Sequence, residues 1–155
     1  MTRPTLVLRL RMIPSPAMTT LKSPRAFIVS QGEEILTGLV TDTNANFLCA
    51  RLTEIGLRVR GVITAGDRTE EIATALKRAT EAAEVVVCTG GLGPTDDDLT
   101  AEAAALAFSR PLQFSAEAMA QIEERFAVLG RETATSDKRQ AMLPQGSFLI
   151  PNALG

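Results

Sequence analysis

The sequence predicts a three-layer α/β domain in which helices cover both faces of a mostly parallel sheet. Two observations lead to this fold class. From Arg25 onward, short apolar runs alternate with segments whose apolar residues recur at helical spacing. The run Val85 to Cys88 is apolar on both faces and rich in β-branched residues, which is typical of a central parallel strand. Strands that alternate with helices pair in parallel through right-handed crossovers, so the helices are expected on both sides of the sheet.

The first half of the pattern predicts two strands and one helix. A strand is expected over residues 26–30, followed by a helix over 43–55 with Asp42 as its N-cap. The apolar residues at helical spacing in this helix are Phe47, Leu48, Leu52 and Ile55. Gly56 ends the helix, and the next strand is expected over residues 57–64.

The second half predicts three more helices and two more strands. A helix over residues 70–83 precedes the Val85 strand, and its apolar stripe consists of Ile72, Ala75, Leu76 and Ala79. Helices are expected over residues 101–108 and 116–129, with Ser115 as the N-cap of the second. Residues 148–150 predict a last short strand before a proline.

Composition limits the chemistry that this domain can perform. A chain of 155 residues with 45% hydrophobic residues, 22% charged residues and a net charge of −2 is typical of one soluble domain. It has no basic field for a nucleic acid, so we expect neither nucleic-acid nor membrane partners and a cytoplasmic location. The absence of histidine excludes Ser-His-Asp and Cys-His systems and favours oxygen-liking metals such as Mg²⁺. Cys49 and Cys88 are predicted to be reduced core residues.

Residues 1–24 do not follow the alternating pattern. The apolar stretch over residues 5–12 is too short and too charged for a membrane span, and no signal-peptide cleavage site follows it. Pro14, Pro16 and Pro24 interrupt the segment. We interpret it as a disordered tail or, because Met18 would serve equally well as a start, as a misassigned start. The domain itself is predicted to occupy residues 25–155.

Three loops at the carboxyl ends of predicted strands combine glycine with carboxylates, namely residues 31–34, 65–67 and 90–98. Ligands of open α/β sheets bind at this edge. Glycine lets backbone N–H groups approach an anion, and a following helix N-terminus adds a partial positive charge. Because carboxylates beside a phosphate require a cation between them, the three loops together predict a metal-bridged phosphoester.

The loop over residues 90–98 also has simpler interpretations. Its glycines are compatible with an ordinary strand-to-helix turn, and its three consecutive aspartates favour a helix start through the helix dipole. The chain has no Gly-Lys-Ser/Thr sequence of a P-loop, and residues 91–96 lack the third glycine of a dinucleotide fingerprint. A nicotinamide-dependent oxidoreductase is therefore disfavoured.

From about residue 26 to residue 155 the chain resembles the N-terminal domain of the competence/damage-inducible protein CinA, which is similar to the molybdopterin-binding MogA and MoaB fold. The resemblance rests on GEEILTG (32–38), DTNANFL (42–48), AGDRTEEI (65–72), TGGLGPTDDDLTAEA (89–103), RQAMLP (139–144) and PNALG (151–155). It implies a molybdopterin-binding-like (MoCF) fold. It also implies metal-dependent hydrolysis of the pyrophosphate of ADP-ribose or a related nucleoside diphosphate, with Mg²⁺ or another divalent metal and with K⁺.

The resemblance also implies a set of site residues. The catalytic pair would be Asp98, matching the aspartate that ends the glycine loop of both groups of proteins, and Asp67, matching the other acidic site residue. Mg²⁺ would be held by Asp98, Asp97 and Glu34. The ligand-binding residues would be Gly90, Gly91 and Gly93, whose amides face the diphosphate, together with Asn44, Asn46, Arg139 and Asn152.

Two alternatives stay open at this point. The domain could bind molybdopterin or transfer an adenylyl group, as MogA-like proteins do. It could also be an inactive, truncated CinA-like fragment, because the chain ends at Gly155 where the proteins that it resembles continue into further strands of the same sheet. We therefore expect the last strands of the sheet to be missing. The sequence leaves the oligomeric state open, and the resemblance is compatible with a homodimer.

Overall fold

The computed structural model describes residues 5–6, 23–132 and 134–150. The strands are β1 (Thr5–Leu6), β2 (Arg25–Gln31), β3 (Arg58–Ala65), β4 (Val85–Thr89), β5 (Leu112–Phe114) and β6 (Met142–Pro144). The helices are α1 (Glu33–Leu36), α2 (Thr43–Glu54), α3 (Thr69–Ala82), α4 (Thr100–Phe108) and α5 (Ala116–Val128), and a 3-10 helix spans Thr135–Ala141.

The main sheet has the strand order β1-β4-β2-β3. Strand β2 pairs in parallel with both β3 and β4, whereas β1 pairs antiparallel with β4. The predicted three-layer α/β fold with a mostly parallel sheet is thus confirmed. Because β2 lies between β3 and β4, the loops that follow these three parallel strands meet at one edge of the sheet.

The main core lies between the sheet and the helices α3 and α4. Phe27 and Val29 of β2 and Val86 and Cys88 of β4 face these helices. The stripe predicted for α3 is confirmed, since all four of its residues are buried in this cluster: Ile72, Ala75, Leu76 and Ala79. Many of the helical positions are alanines, which lets α4 approach α3 closely.

Helix α2 differs from the sequence prediction in what it buries. Asp42 caps it as predicted, accepting a hydrogen bond of 2.8 Å from the N–H of Ala45. However, Ala45 is its only buried residue, while Phe47 is 61% exposed and Ile55 is 72% exposed. Helical spacing identifies an apolar face, but burial requires an element that packs on that face, and among the described residues none covers these two side chains.

The end of the described chain also differs from the prediction. Residues 148–150 do not form a strand. Instead, β5 and β6 pair antiparallel as a separate two-stranded sheet, with Leu112 opposite Pro144 and Phe114 opposite Met142. The Leu149 side chain packs against a second small core around Ala118, Met119 and Ala141, so its apolar character reflects packing rather than strand pairing.

The predicted tail lies mostly outside the described residues. Its Thr5 and Leu6 form β1, opposite Thr89 and Cys88. Asn152 lies outside the described residues as well. No helix in the described part of the chain is long and apolar enough to cross a membrane.

Both cysteines are free thiols, as predicted, but only one belongs to the core. Cys88 is 2% exposed, and burial raises the pKa of its thiol to about 12. Cys49 on α2 is half-buried. Because the thiolate is the reactive form, we expect a maleimide to label Cys49 in the native protein and to label Cys88 only after unfolding. Mass spectrometry of tryptic peptides would measure this, and equal labelling of both native thiols would contradict the packing of β4.

Candidate functional site

The glycine loop, residues 90–99, follows β4 and lies directly on Gln31 at the end of β2. Gly90 and Gly91 have φ angles of +89° and +60°, in the left-handed region. A Cβ at Gly90 would collide with the backbone carbonyl oxygen of Gln31, and a Cβ at Gly91 would collide with the Gln31 side-chain oxygen. These two glycines are therefore needed for a close approach between two strand ends, in addition to any role toward a ligand.

Gln31 is a site residue that the sequence did not reveal. Its side chain donates hydrogen bonds to Oδ1 of Asp67 at 2.9 Å and to the carbonyl oxygen of Asp97 at 2.7 Å. Its oxygen accepts one from Oγ1 of Thr100 at 2.7 Å. The only signal in the sequence is a polar amide at the end of an apolar strand, directly before Gly32.

Asp67, predicted as catalytic, stands beside the first loop. Besides the bond from Gln31, its Oδ2 accepts a hydrogen bond of 3.1 Å from the N–H of Glu33. The half-buried carboxylate is thus held from two sides. It joins the loop after β3 to the loop after β2 and, through Gln31, to the glycine loop.

Asp98, the other predicted catalytic residue, folds back over the glycine loop. Its Oδ2 accepts hydrogen bonds from the N–H of Thr95 at 2.8 Å and from the Thr95 hydroxyl at 2.6 Å. Partial burial raises the pKa of the Asp98 carboxyl, but hydrogen bonds from Thr95 and from the N–H of Gly93, together with the charge of Arg139, lower it more. The net pKa lies below its usual value, so Asp98 is ionised at neutral pH.

This shift predicts a pH dependence of stability. A carboxylate whose pKa is lowered by folding contributes stability above its unfolded pKa of about 4 and loses it as the pH falls through the folded value. We expect Asp98→Asn to cost stability at pH 7 and much less below pH 3. Urea unfolding of both proteins at the two pH values would measure it. A destabilisation that stays constant between them would contradict the pKa assigned to Asp98.

Arg139 joins the 3-10 helix to the glycine loop and to α4. Its Nη1 donates to Oδ1 of Asp96 at 2.8 Å, and its Nη2 donates to Oε1 of Glu102 at 3.1 Å. The neighbouring Gln140 donates to the carbonyl oxygen of Leu92 at 3.0 Å. The guanidinium therefore stands at the glycine loop, as predicted, but with two carboxylate partners of its own.

A cavity of about 430 Å³ opens between the glycine loop and α5. Its polar end includes Gly91, Gly93, Asp98 and Arg139. The cavity also has an apolar part, which includes Ala118, Ile122, Phe126, Leu129, Leu143 and Leu149. Arg125, Arg131 and Asp137 also border it. This volume and this mixture of an apolar wall with a few polar groups are typical of a small-molecule site.

The predicted site residues that the structure describes divide into two groups. Gly91, Gly93, Asp98 and Arg139 line the cavity, whereas the other described ones are not among its lining residues. Asn44 donates to the Thr89 hydroxyl at 3.2 Å, and the side chains of Asn46 and Asp97 are exposed. The Glu34 carboxylate packs against Gly32.

The predicted metal shell of Asp98, Asp97 and Glu34 is not preassembled. Within the described ranges, no three acidic, cysteine or histidine side chains are grouped so that they could hold a metal ion. Both hydrogen bonds from Thr95 also occupy the Oδ2 atom of Asp98. As arranged, the described carboxylates form no ready-made Mg²⁺ site, and the expected Mg²⁺ and K⁺ stay predictions.

The fold is that of the molybdopterin-binding class of α/β domains. The family model described as "Probable molybdopterin binding domain" matches residues 27–148, and the chain belongs to this family.

Within this family, the chain is similar to CinA proteins, which confirms the resemblance drawn from the sequence motifs. It is 34% identical to the protein CinA from Thermoplasma acidophilum, whose crystal structure it matches with a TM-score of 0.78, covering 86% of this chain and 78% of that one. A CinA-like protein of Geobacter metallireducens is 46% identical over 128 residues, which are 83% of this chain and 31% of the relative. The chain thus spans about a third of such curated relatives.

A more distant match extends the fold comparison. The tungsten cofactor synthesizing protein MoaB from Pyrococcus furiosus has a TM-score of 0.55 at 22% identity, covering 72% of this chain and 68% of that one. At this identity the match bears on the fold alone, and it agrees with the predicted MoaB-like architecture.

Proposed function

We propose that the domain binds a phosphorylated pterin, of which molybdopterin is the example in the family description, in the cavity between the glycine loop and α5. The observation that carries the proposal is the mixed cavity lining. The glycine loop, Asp98 and Arg139 supply polar groups, and Ile122 and Phe126 of α5 with Leu143 and Leu149 supply apolar surface. A pterin phosphate has a flat ring at one end, which suits the apolar lining, and an anion at the other end, which suits the polar groups. The family to which the chain belongs supports the same ligand class.

The polar end supplies groups that suit a phosphate. The glycine loop already binds one anion, since the N–H groups of Gly93 and Thr95 donate to the Asp98 carboxylate. Arg139 adds a guanidinium whose planar donors match phosphate oxygens. A bound phosphate would then share these donors or displace the carboxylates that hold them.

The apolar end suits a ring. Ile122 and Phe126 on α5 and Leu143 on β6 form a wall that removes ring surface from water. Arg131 stacks over Phe126, with its guanidinium carbon 4.3 Å from the ring centre, and pairs with Asp137 at 3.4 Å. This arrangement fixes the aromatic side chain at the border of the cavity.

A fluorescence titration tests the proposal. The protein has neither tryptophan nor tyrosine, so the emission of neopterin monophosphate reports binding without interference. We expect saturable binding with a Kd in the micromolar range, and weaker binding of unphosphorylated neopterin. Linear, unsaturable signals with both compounds would refute the proposal.

Hydrolysis of ADP-ribose is the second hypothesis, and the positions of Asp67 and Asp98 favour it. Two carboxylates stand next to an anion-binding loop, connected by Gln31 and the backbone of Asp97. In this hypothesis, water adds to one phosphorus of the anhydride and releases AMP and ribose 5-phosphate, and a carboxylate accepts the proton of the water. Because the described carboxylates form no metal site of their own, we assign no step to Mg²⁺.

The variant Asp98→Asn separates the two hypotheses. If the domain hydrolyses ADP-ribose, AMP release with Mg²⁺ present should fall at least about a hundredfold in the variant, the usual cost of losing one preorganised electrostatic group. If the domain only binds pterin phosphate, removing a negative charge beside the anion should leave the affinity equal or higher. Chromatographic assay of AMP and the fluorescence titration give the two readouts.

A further inference from the structure

Gln31 is only 4% exposed, and both polar atoms of its side chain make hydrogen bonds. Its amide nitrogen donates to Asp67 and to the backbone of Asp97, and its amide oxygen accepts from Thr100. These partners are 36, 66 and 69 residues away in the sequence. One side chain thus joins the loop after β3, the glycine loop and the first turn of α4.

Space filling alone does not account for an amide at this position. A buried amide is costly unless each of its polar atoms has a partner, and an apolar residue such as leucine would fill a similar volume without that cost. The fully satisfied amide instead fixes the side chain in one orientation. Gly90 and Gly91 are packed directly on this residue, so its orientation also determines where the glycine loop can lie.

We propose that Gln31 is a positioning residue that couples the Asp67 carboxylate to the glycine loop, so that the two sides of the site keep one relative geometry. The consequence for a ligand rests on the proposed function, because a phosphate held over Gly91 and Gly93 would then lie at a fixed distance from Asp67. The coupling itself is a property of the ligand-free protein.

Amide hydrogen exchange of the ligand-free full chain, followed by NMR, tests the coupling. Asp67→Ala removes a partner of Gln31 and leaves the glycine loop unaltered. We expect about tenfold faster exchange at Thr100, whose N–H donates to the carbonyl oxygen of Gly91, since one lost hydrogen bond to a charged group has about this effect. The control Glu71→Ala removes a nearby carboxylate that pairs with Arg68 and should leave Thr100 unchanged. Faster exchange confined to residues 32–34 and 66–68 would overturn the proposal.

A donor-acceptor swap separates positioning from packing. Gln31→Glu keeps the size of the side chain, but a carboxyl group carries at most one proton where the amide has two donors, toward Asp67 and the Asp97 carbonyl oxygen, so exchange at Glu33 and Thr100 should rise about tenfold. Adding Asp67→Asn restores a donor-acceptor pair and should bring exchange at Glu33 back to within about threefold of the wild type. Failure of this rescue would overturn the proposal, and Asp67→Ala decides the question if Gln31→Glu does not fold. If coupling is found but neopterin monophosphate does not bind, only the proposed function fails.

Discussion

Gly90→Ala is expected to destabilise the domain by about 4 kcal/mol or more, which is exceptional for a single methyl group. Two effects combine at this position. The φ of +89° is unfavourable for a residue with a side chain, and the added Cβ would collide with the backbone carbonyl oxygen of Gln31. Because that atom belongs to the central strand β2, it cannot move away without disturbing the sheet.

Gly130→Ala is the matched control for this prediction. Gly130 has a φ of +66°, also in the left-handed region, but a Cβ there would meet nothing within 4 Å. Its substitution should cost only roughly 1–2 kcal/mol, the penalty of the left-handed backbone itself. Urea unfolding of the two variants beside the wild type measures both values. Equal losses would mean that the glycine loop does not lie on Gln31 as described.

Arg139→Gln is expected to weaken the binding of neopterin monophosphate by roughly tenfold to a hundredfold, because a charge-assisted hydrogen bond contributes about 1.5–3 kcal/mol. The substitution removes the guanidinium at the polar end of the cavity and leaves its partners Asp96 and Glu102 uncompensated. Both changes disfavour an anion. Binding of unphosphorylated neopterin should change little, since in the proposed binding mode its ring contacts the apolar residues of the cavity and not Arg139.

The control for this second prediction is Arg110→Gln. Arg110 donates to the carbonyl oxygen of Gln145 at 2.9 Å and does not line the cavity. Arg110→Gln therefore removes the same net charge as Arg139→Gln without altering the site. The affinity for neopterin monophosphate should stay within a factor of about two of the wild-type value. Parallel fluorescence titrations give the comparison. An equal loss in both variants would indicate a general charge effect instead of a contact with Arg139.

Local signals explain what the sequence predicted well. The N-cap residues Asp42 and Ser115 accept the expected hydrogen bonds from Ala45 and Ala118. The α3 stripe and the β4 strand are buried as expected. Each of these features depends on residues that are close in the sequence, within one or two helical turns or within one apolar run. The local sequence is therefore sufficient to predict them.

The remaining features depend on contacts that are distant in the sequence. Strand β5 finds its partner β6 about thirty residues later, and a three-residue strand has too few positions to show a period. The exposed face of α2 looks like a core face in sequence, because spacing does not reveal whether a partner covers it. Gln31 becomes a site residue only once three loops meet around it.

The glycines illustrate the same limit within the site. Their sequence pattern correctly marks the loop after β4, but the structure gives Gly90 and Gly91 a packing role against Gln31. Gly91 also lines the cavity, as do Gly93 and Asp98, and the last two are already joined by a hydrogen bond. The predictions of a diphosphate contact for all three glycines and of a metal shell around Asp98 remain to be tested by ligand binding.

Methyl NMR of the protein titrated with neopterin monophosphate tests the central claim, that the cavity between the glycine loop and α5 is the ligand site. We expect the methyl signals of Ile122, Leu143 and Leu149, which line the cavity, to shift in a saturable manner. The signals of Ile28, Ile72 and Leu76, which are fully buried outside it, should stay in place. Saturable shifts confined to methyl groups away from the cavity, or no shifts at ligand concentrations in the millimolar range, would contradict the assignment.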